Sequence, residues 1–268
     1  MQGHRAHYTH GHAESVLRSH RWRTAENSAA YLLPHLRPGH ELLDVGCGPG
    51  TLTVDLARRV APGAVTAIEP TDQVLDIARA EAADQGVDVR FAIADVLDLD
   101  LPDDSFDVVH THQVLHHIGD PVRALQEMAR VCRPDGLVAV RECDYAGFTW
   151  WPLLPELDEW MLLFCDAQRD NGGEPDAGRR LLSWAQAAGL RDAVSTSSTW
   201  CFATPADREY WGGMWAERIV ASDLTEQLLG SGAATRDDLE RISQGWRAWV
   251  EAPDGWFSLL HGEVLCRP

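Results

Sequence analysis

The sequence predicts an α/β fold in which a mostly parallel sheet carries helices on both faces. Three observations lead there. Short apolar runs alternate with helical stripes from Leu42 to Arg141. A strand of Leu42, Leu43 and Val45 runs into a glycine turn, Gly46, Gly48 and Gly50, and a helix opens near Thr51. The next strand, Val65 to Ile68, stops at an acid, Glu69, 23 positions after Gly46. Strands that alternate with helices in this way need right-handed crossovers, and therefore pair in parallel.

In chain order, residues 1 to 20 hold His4, His7, His10, His12 and His20 and read as an N-terminal arm. No cysteine or carboxylate joins these histidines at a ligand spacing, so no metal site is expected. Ala25, Ala29, Leu32, Leu33 and Leu36 form a helical stripe over Thr24 to Leu36, closed by Pro38-Gly39. After the first strand, Leu52, Leu56 and Val60 give a helix its inner face, and Pro62-Gly63 ends it. Beyond Glu69, Thr71 is an N-cap candidate for a helix with Val74, Leu75, Ala78 and Ala82 buried. Val87 to Ala94 reads as the third strand and Phe106 to Thr111 as the fourth. The fourth ends in His112-Gln113-Val114-Leu115-His116-His117, at the strand end where open α/β sheets collect ligands. A helix from Pro121 to Cys132, a proline-glycine turn at Arg133 to Gly136, and a fifth strand from Leu137 to Arg141 follow.

The character then changes. Ten of the eleven tryptophans lie at or after Trp150. Pro155 to Arg169 and Gly178 to Ala188 read as helices, Val194 to Phe202 as a sixth strand, Thr204 to Glu251 as two or three inserted helices, and Trp256 to Cys266 as a seventh strand. The expected organisation is one domain over 1–268, with an arm and helix at 1–36, a ligand-binding half at 37–142, and a second half at 143–268 whose helical insertion spans about 204–251.

Composition narrows the partners. A net charge of −18, from 23 basic and 41 acidic residues, argues against nucleic acid, which is bound by clustered Lys and Arg. No apolar run is long enough for a membrane span and the N-terminus lacks a signal-peptide core, so a cytoplasmic protein is expected. The six cysteines are scattered, without a Cys-x-x-Cys pair, and read as reduced core residues.

The segment Asp44 to Gly50, acid-x-Gly-x-Gly-x-Gly after the first strand, with Glu69 ending the second, resembles the class I S-adenosylmethionine-dependent methyltransferases. The dinucleotide pattern Gly-x-Gly-x-x-Gly is absent, since Thr51 stands where its third glycine would be, which disfavours an NAD-dependent dehydrogenase. The resemblance implies a Rossmann-like sheet of seven strands, the last antiparallel to the rest. From about Thr24 to Glu142 it is similar to the ubiquinone and menaquinone biosynthesis C-methyltransferases. It further implies S-adenosylmethionine as cofactor, bound by Tyr8, Arg23, Asp44, Gly46, Cys47, Gly48, Glu69, Pro70, Gln73, Asp95, Val96, His112, Gln113 and His117. In that set Glu69 holds the ribose hydroxyls, Asp95 the adenine amino group, and Arg23 reaches the carboxylate.

Such a cofactor arrives with its methyl group already activated, so the protein's main task is alignment, which contributes roughly 7–11 kcal/mol. A general base is optional, and His117, then His116, are the candidates, because histidine titrates near neutrality. Packing and cofactor-shelf roles remain open for both. The tryptophan-rich half reads as a lid over an aromatic, quinone-like or polyketide-like small molecule, although core packing accounts for most of those rings. The expected function is direct methyl transfer to that acceptor, with a homodimer as a possible assembly. A cofactor-binding protein without transfer activity is the alternative.

Overall fold

The computed structural model describes residues 22–268, so Tyr8 and the histidine-rich arm lie outside the described residues. An eight-stranded sheet runs in the order β3-β2-β1-β4-β5-β8-β6, with β7 on the other edge of β8. The strands are β1 Leu42–Val45, β2 Val65–Glu69, β3 Arg90–Ile93, β4 Phe106–His112, β5 Cys132–Cys143, β6 Thr149–Trp151, β7 Arg191–Phe202 and β8 Trp256–Arg267. β1 to β5 pair in parallel, and β8 is antiparallel to β5, β6 and β7. The sequence expectation of seven strands misses β6, a three-residue strand whose Trp151 pairs with Trp256 at the start of β8. A run that short has no readable alternation. The expected turn at Arg133 to Gly136 falls inside β5, where pairing jumps from Phe106–Cys132 to Val108–Leu137 and the four residues between bulge out.

Strand alternation puts opposite residues into opposite cores. Leu43, Val45, Val109, Val138 and Val140 face one way, onto the helix Pro121–Val131 and its neighbours. Leu42, Val108 and Ala139 face the other, against Leu52, Leu56 and Val60 of the helix Thr51–Val60. The second face changes character along its length. Past those apolar residues it carries Asp44 on β1, His110 and His112 on β4, Arg141 on β5, and Glu263 and His261 on β8, all buried. Its C-terminal edge is therefore polar where the rest is aliphatic.

The stripe at Thr24 to Leu36 is not one helix. Ala25–Ser28 makes a single capped turn and Leu33–His35 a 3₁₀ turn, because Pro34 lacks the N–H an α-helix needs and crowds the residue before it. Ala25, Ala29 and Leu32 are still fully buried, so the apolar pattern held while the conformation did not. Trp22 packs on Trp200 and Phe202 at 5.0 and 5.2 Å, which fixes the position of Arg23 beside it.

Between β7 and β8 lie three helical stretches. Pro205–Arg218 is continuous, with a π-turn at Glu209–Gly213, and Asp223–Ser231 and Arg236–Glu251 follow. With Pro155–Asp170 they enclose a third core built on Trp160, Trp215, Trp246, Trp249 and Phe257. Many of its ring pairs are edge-on, including Trp160–Trp246 at 83° and Trp246–Trp249 at 82°. No described helix is long and apolar enough to cross a membrane.

Candidate active site

The glycine turn bends as it does because three residues adopt positive φ, +73° at Gly46, +56° at Gly48 and +87° at Gly50. Gly46 has a second reason to lack a side chain, since a Cβ there would lie 2.2 Å from Val114 Cγ2. The turn is tied to β2 through Gly46 N–H and Cys47 N–H, which donate to Ile68 O at 2.9 and 3.3 Å. Gly48 N–H donates to Glu69 Oε1 at 2.6 Å. Among the described residues Glu69 Oε2 has no such partner. Burial pushes the Glu69 carboxyl up to about 7, with Asp44 adding to the rise and the Gly48 N–H and Arg23 opposing it.

A cavity of about 240 Å³ opens over this turn at the C-terminal ends of β1, β2 and β4. Of the residues expected at the site, Arg23, Gly46, Gly48, Glu69, Pro70, Asp95, Val96, His112, Gln113 and His117 line it. Asp44 and Cys47 line a smaller adjoining cavity with Arg23 and His112. Gln73 lines neither. The helix Asp72–Asp84 starts at Thr71, so it turns Val74 to the cavity and leaves Gln73 exposed. His116 is absent from the lining as well. It is buried behind His117, ring centroids 3.8 Å apart, with Nδ1–H donating to Glu142 Oε2 at 2.6 Å.

Asp44 points into the protein. Its Oδ2 accepts from Thr53 Oγ1 at 2.6 Å and its Oδ1 from His110 Nδ1 at 2.8 Å. Arg23 donates to Gln113 Oε1 at 2.6 Å, and Gln113 Nε2 donates to His261 Nε2 at 2.8 Å. His261 Nδ1 lies 3.2 Å from Leu259 O, an acceptor only, so Nδ1 carries the proton and Nε2 the lone pair. His112 is 3% exposed and neither ring nitrogen has a hydrogen-bond partner among the described residues. Burial holds its imidazole well below the usual range, helped by cationic Arg23 and Arg141, so it is neutral.

The model of the methyltransferase domain family matches residues 43–140. An uncharacterized methyltransferase of Schizosaccharomyces pombe is 33% identical over 96% of this chain and 95% of its own length. The chain belongs to the class I S-adenosylmethionine-dependent methyltransferases. A probable methyltransferase of Aspergillus luteorubrus, ltbC, is 28% identical over 96% of each chain. The YcgJ protein of Bacillus subtilis shares the fold, with TM-score 0.57 at 20% identity over 89% of this chain and 97% of that one.

The cavity of this methyltransferase suits its methyl donor. The bare backbone at Gly46 and Gly48 admits a ligand against the peptide groups, and the Glu69 carboxylate can take ribose hydroxyls on Oε2. Sequence reading missed Thr71, Val74 and Ile118 in the lining, together with Val45, Ile68, Ala94 and Val114, and Glu142 beneath it. The first two follow Pro70 at a helix start and were legible as neighbours. Glu142 was not, because the residues it binds stand 26 to 28 positions away.

Proposed function

We propose that this methyltransferase moves the methyl group of S-adenosylmethionine to a neutral, ring-bearing small molecule, aromatic, quinone-like or polyketide-like, by direct displacement. The donor supplies an activated sulfonium methyl when bound. In this reading Gly46 and Gly48 provide the backbone shelf, Glu69 takes the ribose hydroxyls, and Asp95 with Val96 frames the adenine. Arg23 pairs with the donor's carboxylate and exchanges its bond to Gln113 for it. His117, at the cavity wall, takes the proton from the acceptor where one must leave, a step worth a factor of about 10²–10⁴.

The observation that carries the acceptor class is the apolar lining beside His117, to which Val114 and Ile118 contribute. Such a lining favours uncharged ligands. Two relatives carry names that point the same way, 27-O-demethylrifamycin SV methyltransferase of Amycolatopsis mediterranei and the ubiquinone/menaquinone biosynthesis C-methyltransferase of Bdellovibrio bacteriovorus. They match 41% and 40% of this chain. The test is methyl transfer from isotope-labelled donor to a panel of phenols, hydroquinones, amines and carboxylic acids, read by mass spectrometry. Labelled phenol or hydroquinone products are expected, and labelling confined to amines or carboxylates would overturn the acceptor class.

A further inference from the structure

His112 closes β4 and is 3% exposed, yet among the described residues neither of its ring nitrogens has a hydrogen-bond partner. The other buried histidines are held. His110 Nδ1 meets Asp44 Oδ1 at 2.8 Å, His116 Nδ1 meets Glu142 Oε2 at 2.6 Å, and His261 Nε2 meets Gln113 Nε2 at 2.8 Å. A buried imidazole with both nitrogens unmade is costly, and proteins keep one where a ligand or water meets it.

Its place in the site says which ligand. Arg23, Gly46 and His112 line both the main cavity and the smaller one beside it, and His117 lines the main cavity as well. Trp200 and His261 back the His112 ring, at 5.7 and 6.3 Å between ring centroids. With the donor's carboxylate on Arg23 and its ribose on Glu69, the reacting methyl belongs to the stretch of cavity between them, because the sulfur joins those two parts. The wall there includes Gly46, which has no side chain, and His112. Burial and the nearby cations Arg23 and Arg141 keep the ring neutral. It therefore offers one N–H and one lone pair, and is too weak a base to take a proton itself.

We propose that His112 selects an oxygen nucleophile, its N–H donating to the hydroxyl oxygen of the methyl acceptor and turning a lone pair of that oxygen to the methyl group. This rests on the methyl-transfer reading and narrows it to O-methylation. A hydroxyl oxygen has two lone pairs, one to accept from His112 and one to attack. A neutral amine nitrogen has a single pair, and a bond from His112 would occupy the pair that must attack. In the transfer the oxygen bonds to the methyl carbon as the carbon–sulfur bond breaks with its electron pair to sulfur. The hydroxyl proton passes to His117, which becomes cationic as the sulfonium charge is lost.

The experiment uses the full chain with saturating S-adenosylhomocysteine and two probes of one shape, 2-naphthol and 2-methylnaphthalene, measured by equilibrium dialysis. Wild-type protein is expected to favour 2-naphthol by about five- to ten-fold, the range of one neutral hydrogen bond. His112→Phe is expected to bring the ratio to near one, and His112→Leu serves if the phenylalanine variant does not fold. A merely structural role would weaken both probes alike and leave the ratio as it was. A ratio unchanged in the folded variant, or no preference in wild type, overturns the proposal, His112 then holding only an enclosed water. Wild-type protein given isotope-labelled donor and 2-aminophenol supplies a second readout. Label on the oxygen is expected, and label on the nitrogen overturns the proposal. Failure of S-adenosylhomocysteine to bind overturns the donor reading and this proposal with it, whereas an unchanged ratio with it bound overturns this proposal alone.

Discussion

The carboxylate of Glu142, fully buried at the end of β5, binds His116 Nδ1 at 2.6 Å through one oxygen. Through the other it accepts the N–H groups of Val114 and Leu115 at 2.9 and 2.7 Å. Three bonds from one side chain thus fix the turn that presents His117 to the cavity. Glu142→Ala is expected to lower unfolding free energy by about 3 kcal/mol or more, because three buried donors lose their acceptor at about 1–3 kcal/mol each. Glu142→Gln, which keeps one oxygen acceptor, should cost about 1–3 kcal/mol. Urea unfolding of the three proteins checks the order.

His117→Ala is expected to cut turnover by a factor of about 10²–10⁴ while affinity for S-adenosylhomocysteine changes far less. The measurement is kcat on an acceptor found in the methyl-transfer screen, beside calorimetric titration of the product. Equal losses in both would make His117 a shelf for the cofactor and remove it as a base.

Cofactor binding should depend on pH through Glu69. With its carboxyl pushed up to about 7 from 4.5, the ribose acceptor is only half ionised near neutrality. Affinity for S-adenosylhomocysteine should rise between pH 6 and 8 and level off above, by up to roughly tenfold per unit on the steep part. Binding at pH 7 should release protons, seen as a heat that varies with the buffer. The sign for the ligand-free protein is the reverse. A raised carboxyl pKa contributes stability that is complete below about 4.5 and is lost as pH rises through about 7. Glu69→Gln should flatten both profiles and weaken binding.

Gly46→Ala should damage the site more than its size suggests. The new methyl would meet Val114 Cγ2 at 2.2 Å on a backbone already at φ +73°. Strain of this kind costs about 1–3 kcal/mol, and Val114 can yield only by shifting the turn before His117. Loss of S-adenosylhomocysteine binding with a modest fall in melting temperature is expected, and calorimetry with thermal unfolding reads both.

Much of this was legible in the sequence. Asp44 to Gly50 and Glu69 announce a backbone shelf and an acid by local spacing, and the structure brings Gly46, Gly48 and Glu69 to one cavity. Period-two and helical patterns found β1, β2, β4, β7 and β8 to within a few residues and the later part of β5, since burial on one face writes itself into neighbouring positions. Where a local rule conflicted with the pattern, at Pro34 after the stripe of Ala25, Ala29 and Leu32, the pattern predicted burial and the proline decided conformation.

Sequence alone thus determined the fold class, the family and the donor, because each is encoded in residues close along the chain. Only the tertiary structure decided which polar groups face the cavity and which support it. Asp44 turned inward to Thr53 and His110, and His116 withdrew to Glu142. The physical reason is pairing. A buried polar side chain is directed by its partner, and these partners come from strands and helices that meet only when the sheet closes.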